Sequence, residues 1–210
     1  MDGQLVKYDL PSAERIVLTS QHEANRYNAP NDLVIDRNGG IYFTDPRYRA
    51  PEPWPQGTEA VYYYEPKNGV ATRLVDDRTA PNGVILSIDE QTLYVIPSME
   101  KEMWSYPVLS PGKLEPGRVF CEIAQAKDAK TPGGGDGLTI DTNGNLYITT
   151  ALGLQVFNTD GKPLGIIEFP EQPSNVTFGG RNNGTLFVTA RKSLYSVTTG
   201  ATGHVFPGSE

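Results

Sequence analysis

The chain has 210 residues, enough for one sizeable core, with 22 Gly, 17 Pro and 11 Tyr, the composition of short strands and many turns. Its formal net charge of −7 argues against a nucleic-acid partner, because phosphate binding needs a basic surface. No run of about 18 apolar residues is present, which excludes a membrane-spanning helix, and the single cysteine, Cys121, excludes an internal disulfide framework or a cysteine-based zinc site.

In chain order, Met1–Gln4 carries neither a basic region nor an apolar run, so the expected compartment is the cytoplasm, although an export signal would have gone with any missing N-terminus. Leu5–Leu10 and Ile16–Leu18 read as strands. Leu33–Ile35, a turn over Asp36–Gly40, and Ile41–Thr44 form a hairpin, with Asn38-Gly39 as the predicted two-residue turn in which both residues take positive φ. Val61–Tyr64, a turn at Pro66–Gly69 and Val70–Val75 complete a four-stranded unit. The same grammar recurs in Leu93–Ile96, Met103–Tyr106 and Arg118–Ile123, then in Leu146–Thr149, Leu154–Phe157 and Leu164–Phe169, and last in Leu186–Thr189 and Ser193–Val197. Cys121 lies in a strand-like run and is expected to be a buried, unreactive thiol.

These units are copies of one repeat. Each opens on Asn31, Asn82, Asp136 or Asn175 and reaches an aromatic (Tyr42, Tyr94, Tyr147, Phe187) 11, 12, 11 or 12 positions later. The aromatics lie 52, 53 and 40 residues apart (42 to 94, 94 to 147, 147 to 187). Four-stranded units at such a period predict an all-β fold of the β-propeller type, and internal repetition disfavours the rival β-sandwich. In a propeller the first strand of each blade lines the central channel, so the four opening residues would converge at one mouth. One Asn or Asp beside Gly is an ordinary turn residue, but four in one register point to a site. Asp36, Asp89 and Asp141 are instead assigned to the hairpin turns. Oxygen donors with a single carboxylate suit a hard cation, Ca²⁺ first, with Mg²⁺, Mn²⁺ or Zn²⁺ as the other candidates; neither His22 nor His204 opens a repeat, which counts against a catalytic zinc. The Pro- and aromatic-rich stretch from Pro46 to Thr58, with Arg47, Tyr48 and Trp54, is a candidate lid for the mouth.

The segments Asn28–Leu33, Tyr42–Tyr48, Ala80–Gly83, Gly135–Leu138 and Pro173–Gly180, five in the correct order, resemble the senescence-marker-protein/gluconolactonase (regucalcin-like) family, in its bacterial gluconolactonase style. The resemblance implies a six-bladed propeller that holds a divalent cation in its channel and hydrolyses sugar lactones or related esters. It implies metal ligation by Asn82 and Asp136, with Asn31 at or near the metal, and Asp136 as candidate base. Asn31, Asn175 and Tyr48 are the expected substrate contacts. A family Glu from the first blade has no counterpart before Asn31, since Glu14 and Glu23 stand in the wrong context, and the basic residue of animal members is replaced by Ala29.

Residues 1–210 are therefore expected to form one propeller domain, incomplete at its N-terminus, with about four blades and an outer hairpin. A shorter protein that closes through a second copy is the rival, and open strand edges would favour self-association. The expected partner is a small-molecule lactone. The rival function, from another class, is a non-catalytic propeller that binds a small ligand or a protein. A Ser-His-Asp hydrolase is a poor third, since no Gly-x-Ser-x-Gly elbow is present.

Overall fold

The computed structural model describes residues 2–131 and 133–206. It is all-β. The chain opens with two small hairpins, β1 (Leu5–Tyr8) with β2 (Arg15–Thr19) and β3 (Gln21–His22) with β4 (Asn25–Arg26). The first blade is β5 (Leu33–Ile35), β6 (Ile41–Asp45), β7 (Ala60–Glu65) and β8 (Val70–Val75), antiparallel in that order. The second is β9 (Pro81–Leu86), β10 (Thr92–Pro97) and β11 (Glu102–Ser110), with β12 (Lys113–Leu114) and β13 (Arg118–Glu122) both on the outer edge of β11. The third is β14 (Gly135–Ile140), β15 (Leu146–Thr150), β16 (Gly153–Phe157) and β17 (Pro163–Ile167). The fourth has three strands, β18 (Pro173–Gly179), β19 (Thr185–Ala190) and β20 (Ser193–Thr198). The arrangement is the expected propeller type. The first strands β5, β9, β14 and β18 stand side by side in an arc.

Alternation of side chains explains why the blades stack. On β7, Val61 and Tyr63 face the second blade, while Ala60, Tyr62 and Tyr64 face the opposite way, onto Leu5, Tyr27 and Phe43. Both faces are buried, so this strand reads as an unbroken apolar run rather than an alternating one. Tyr147, Leu154 and Val156 of the third blade meet Val176, Phe178, Leu186 and Val188 of the fourth in the same way. The residue just before each repeat aromatic (Ile41, Leu93, Leu146, Leu186) is buried, contributing about 1.5–3 kcal/mol each on transfer scales.

The hairpin turns differ from the expected two-residue form. Gly39, Gly69 and Gly144 adopt φ of 82°, 68° and 82°, but the preceding Asn residues stay out of the left-handed region. In the Gly39 and Gly144 turns the cause is the aspartate. Asp36 Oδ1 accepts from Asn38 N and Gly40 N, both at 2.8 Å, and its Oδ2 accepts from the Tyr63 hydroxyl at 2.9 Å. Asp141 repeats this, taking Asn143 N and Asn145 N on Oδ1 and the Tyr147 hydroxyl on Oδ2. The carboxylate spans a wider loop, leaving one position that needs glycine. The turn assignment of Asp36, Asp89 and Asp141 therefore holds, and Asp36 and Asp141 are also buried.

Cys121 lies buried on β13, where burial pushes its thiol up to about 12. Among the described residues, the stretch after β20 adds no fourth strand to the last blade. It folds back on the third, with Thr142 N donating to Thr202 O and His204 N donating to Ile140 O. Among the described residues no helix is long and apolar enough to cross a membrane.

Candidate functional site at the mouth of the arc

Three of the predicted residues come together. Asn31 Nδ2 donates to Asn82 Oδ1 at 2.5 Å, and Asn82 Nδ2 donates to Asp136 Oδ1 at 2.9 Å. Each side chain stands at the start of its blade's first strand. The chain of bonds therefore crosses three blades at one mouth. Asn82 is 5% exposed and Asp136 half-buried, whereas Asn31 is exposed at the open side of the arc.

Asn175 is not the fourth member of this ring. The aromatic of each blade pairs with Val34, Ile85, Thr139 or Thr177. Counting three back from each gives Asn31, Asn82, Asp136 and Ser174. Hydrogen bonds agree: Thr44 Oγ1 donates to Asn82 O, and the equivalent Thr149 Oγ1 donates to Ser174 O. The β18–β19 hairpin carries an additional pair, Gly179 with Thr185, which a count of 11 or 12 positions back from the aromatic could not register. Asn175 is equivalent to Gly137, and its carboxamide lies against Gly137, where a Cβ would stand 2.2 Å from Asn175 Oδ1. It thus flanks Asp136 from the next blade rather than opening the ring.

Tyr48 places its hydroxyl 2.8 Å from Ser98 Oγ, bridging the first blade's long loop to the second blade. Ser98, Asn82, Asp136, Thr149, Gln172 and Pro173 line a cleft of about 190 Å³. Wider grooves open at the opposite ends of the blades, near Asp36 and Glu90 and near Ile88 and Asn143, but their polar groups are already engaged in turns and in the Arg37–Glu90 pair. The small cleft is the one that Asn82 and Asp136 line together.

Burial raises the Asp136 carboxyl above its ordinary range, while the Asn82 hydrogen bond and the charge of Arg191 act the other way. Asp32, next to Asn31, is a carboxylate that the repeat pattern did not single out. Its Oδ1 accepts from Leu33 N and its Oδ2 from Val84 N, tying β5 to β9. Burial raises it also, and the nearby charge of Asp136 adds to this. Behind the site, Asp45 is fully buried; Asn28 N and Ala29 N donate to it at 2.8 and 2.7 Å, which shapes the turn that presents Asn31. Ala29 is buried beneath it and reaches no cleft.

Among the described residues no three His, Cys, Asp or Glu side chains form a ready-made metal cluster. The side chains of Asn31, Asn82 and Asp136 bring amide oxygens and one carboxylate to a single mouth, donors that fit a hard cation completing its shell with water or substrate, with the amide nitrogens of Asn31 and Asn82 here turned onto the neighbouring oxygens.

An arc of antiparallel blades whose first strands stand side by side, with Asn31, Asn82 and Asp136 joined at one mouth, is the architecture of a β-propeller. Residues 1–192 match the family model described as SMP-30/Gluconolactonase/LRE-like region, and the chain belongs to that family. It is 33% identical over 209 residues to a gluconolactonase of Zymomonas mobilis, covering 93% of this chain and 57% of that protein. Among solved structures it is similar to a gluconolactonase of Xanthomonas campestris, with a TM-score of 0.79 at 31% identity over 92% of this chain and 64% of that one. It shares its fold with regucalcin, a calcium-binding protein of Agrobacterium tumefaciens, with a TM-score of 0.78 at 19% identity over 98% of this chain and 73% of that one. The chain spans little more than half the length of the Zymomonas relative.

Proposed function

We propose that this chain carries the reaction face of a divalent-metal-dependent lactone hydrolase. The observation that carries the reading is the bonded series Asn31–Asn82–Asp136, in a family whose relatives include gluconolactonases. Asn82, Asp136 and Asn31 would hold the cation, Ca²⁺ by the hardness of the donors and by likeness to the calcium-binding regucalcin. When bound, it supplies Lewis acidity at the lactone carbonyl.

The chain's own groups do the rest. Asp136 Oδ1 is held by Asn82, which leaves Oδ2 to take a proton from the attacking water. Its partial burial raises its basicity. Asn82 fixes the carboxylate's orientation. Asn31, beyond Asn82, and Asn175, on the next blade, would offer amide groups to sugar hydroxyls, and the Tyr48 hydroxyl, anchored on Ser98, bounds the rim. A second reading, a propeller that binds a ligand without catalysis, rests on the single carboxylate of the donor set, which makes for weak metal binding.

Calcium calorimetry with gluconolactone hydrolysis in the same sample tests the proposal. Calcium is expected to bind in the weak range of about 0.1–1 mM, and turnover to depend on it. Asp136→Asn should lower turnover by about 10²–10⁴-fold. Hydrolysis that survives in Asp136→Asn would remove Asp136 from the chemistry, and ligand binding without turnover would favour the second reading.

A further inference from the structure

The register of the blades identifies another ring of equivalent positions, the residue that follows the second strand. In the second blade this is Ser98, after Pro97, which pairs with Pro81; in the third it is Ala151, after Thr150, which pairs with Gly135. Both line the cleft that holds Asn82 and Asp136. In the fourth blade the same count, from Ala190 paired with Pro173, arrives at Arg191. A small side chain in two blades is thus replaced by a guanidinium in the next.

Arg191 is built into the rim. It sits at the tip of the β19–β20 hairpin with φ of 47°, and its Nη2 donates to Gln172 Oε1 at 2.5 Å. Gln172 itself lines the cleft. Among the described residues Arg191 has no carboxylate within ion-pair distance, although the chain carries an excess of acidic groups. Its positive charge bears on Asp136. A guanidinium has five N–H donors in a planar fork, and a single bond to an amide leaves most of them to a ligand. A fork of this kind, held by a neutral amide at the edge of a cleft, matches a carboxylate.

We propose that Arg191 is a specificity-determining residue: its guanidinium, steadied by Gln172, receives a carboxylate borne by the lactone away from the ring ester. This rests on the lactone-hydrolase reading above and narrows its substrate class to acidic sugar lactones. The carboxylate lies at the fourth blade while the ester carbonyl lies at Asp136.

The test compares glucaro-1,4-lactone, which carries a free carboxylate, with neutral glucono-1,5-lactone in the wild type, Arg191→Lys and Arg191→Gln. The ratio of kcat/KM for the acidic over the neutral lactone should exceed one in the wild type and fall about 10- to 100-fold in Arg191→Gln, with Arg191→Lys between them. A ratio that does not change in Arg191→Gln overturns the proposal. Calorimetry with glucarate in metal-free buffer keeps the test independent of turnover. Binding by the wild type that is lost in Arg191→Gln supports the anion contact even where neither lactone is hydrolysed, in which case only the lactonase reading fails. No glucarate binding, or equal binding by both proteins, overturns the contact itself. Urea midpoints of the variants confirm that the hairpin still folds.

Discussion

Gly83 stands where two blades touch most closely, and Gly83→Ala should loosen both the fold and the site. A Cβ there would lie 2.4 Å from the main-chain oxygen of Asp136 and 2.4 Å from Leu138 Cδ2, with Ile96 Cγ2 at 3.0 Å. The Leu138 methyl can rotate away. The Asp136 carbonyl cannot, because it belongs to strand β14. Close C···O approaches settle near 3.3 Å, so β9 and β14 would have to part by roughly 0.9 Å. Overpacking of this sort costs about 1–3 kcal/mol, and the immobile backbone partner places Gly83→Ala in the upper half of that range. The gain from a stiffer unfolded chain, about 0.4–1 kcal/mol, offsets part of it. A net loss of about 2 kcal/mol should lower Tm by about 4–8 °C for a chain of this size. Gly200→Ala is the control, since nothing lies within 4 Å of its added Cβ. Urea unfolding of both variants gives the difference directly. The same separation would stretch the Asn82–Asp136 hydrogen bond of 2.9 Å, so calcium affinity should fall in Gly83→Ala and not in Gly200→Ala. If the two variants unfold within 0.5 kcal/mol of one another, roughly the scatter of neutral surface changes, the close packing of β9 on β14 is refuted.

Three further outcomes follow from particular groups. Tyr63→Phe removes the hydroxyl that donates to buried Asp36 and should cost about 1.5–3 kcal/mol in urea unfolding; an unchanged midpoint would mean that the backbone donors alone hold that carboxylate. Burial pushes Asp45 up to about 6 from an ordinary 3.8, so between these values the folded chain binds more protons than the unfolded one. Its contribution to stability is therefore greatest below about pH 4, falls by up to about 3 kcal/mol as pH rises to about 6, and is level above; Asp45→Asn should flatten this slope, and parallel pH profiles for the two proteins would contradict it. Replacing Tyr48 by Phe breaks the hydroxyl bridge to Ser98 while leaving the blades intact, and should raise KM for a lactone more than it lowers kcat. A lowered kcat at constant KM would place Tyr48 in the chemical step instead.

Much of the architecture was legible because it depends on neighbours in the chain. The strands were readable from apolar runs such as Val61–Tyr64, and the turns from Asp36 and Asp141 with their glycines. Asn31, Asn82 and Asp136 were found through a repeated spacing, and they do meet. Asn175 was misplaced by one position in that ring, since a count along the chain passes through a hairpin whose length varies, and cross-strand pairing alone shows that Ser174 is the true equivalent. Asp32 and Asp45 were not singled out by the repeat, because burial is a property of what packs around them.

The sequence by itself determined an all-β chain, its repeat, its family and the oxygen-rich character of its site, since strand period, turn chemistry and residue type are local properties. Only the tertiary structure decided which residues share the mouth of the arc. It aligned Ser98, Ala151 and Arg191 on one rim and set Asp136 between Asn82 and Asn175. Those relations join residues 39 or more positions apart, and they are fixed by strand register and by the packing of one blade on the next, which no spacing along a single chain records.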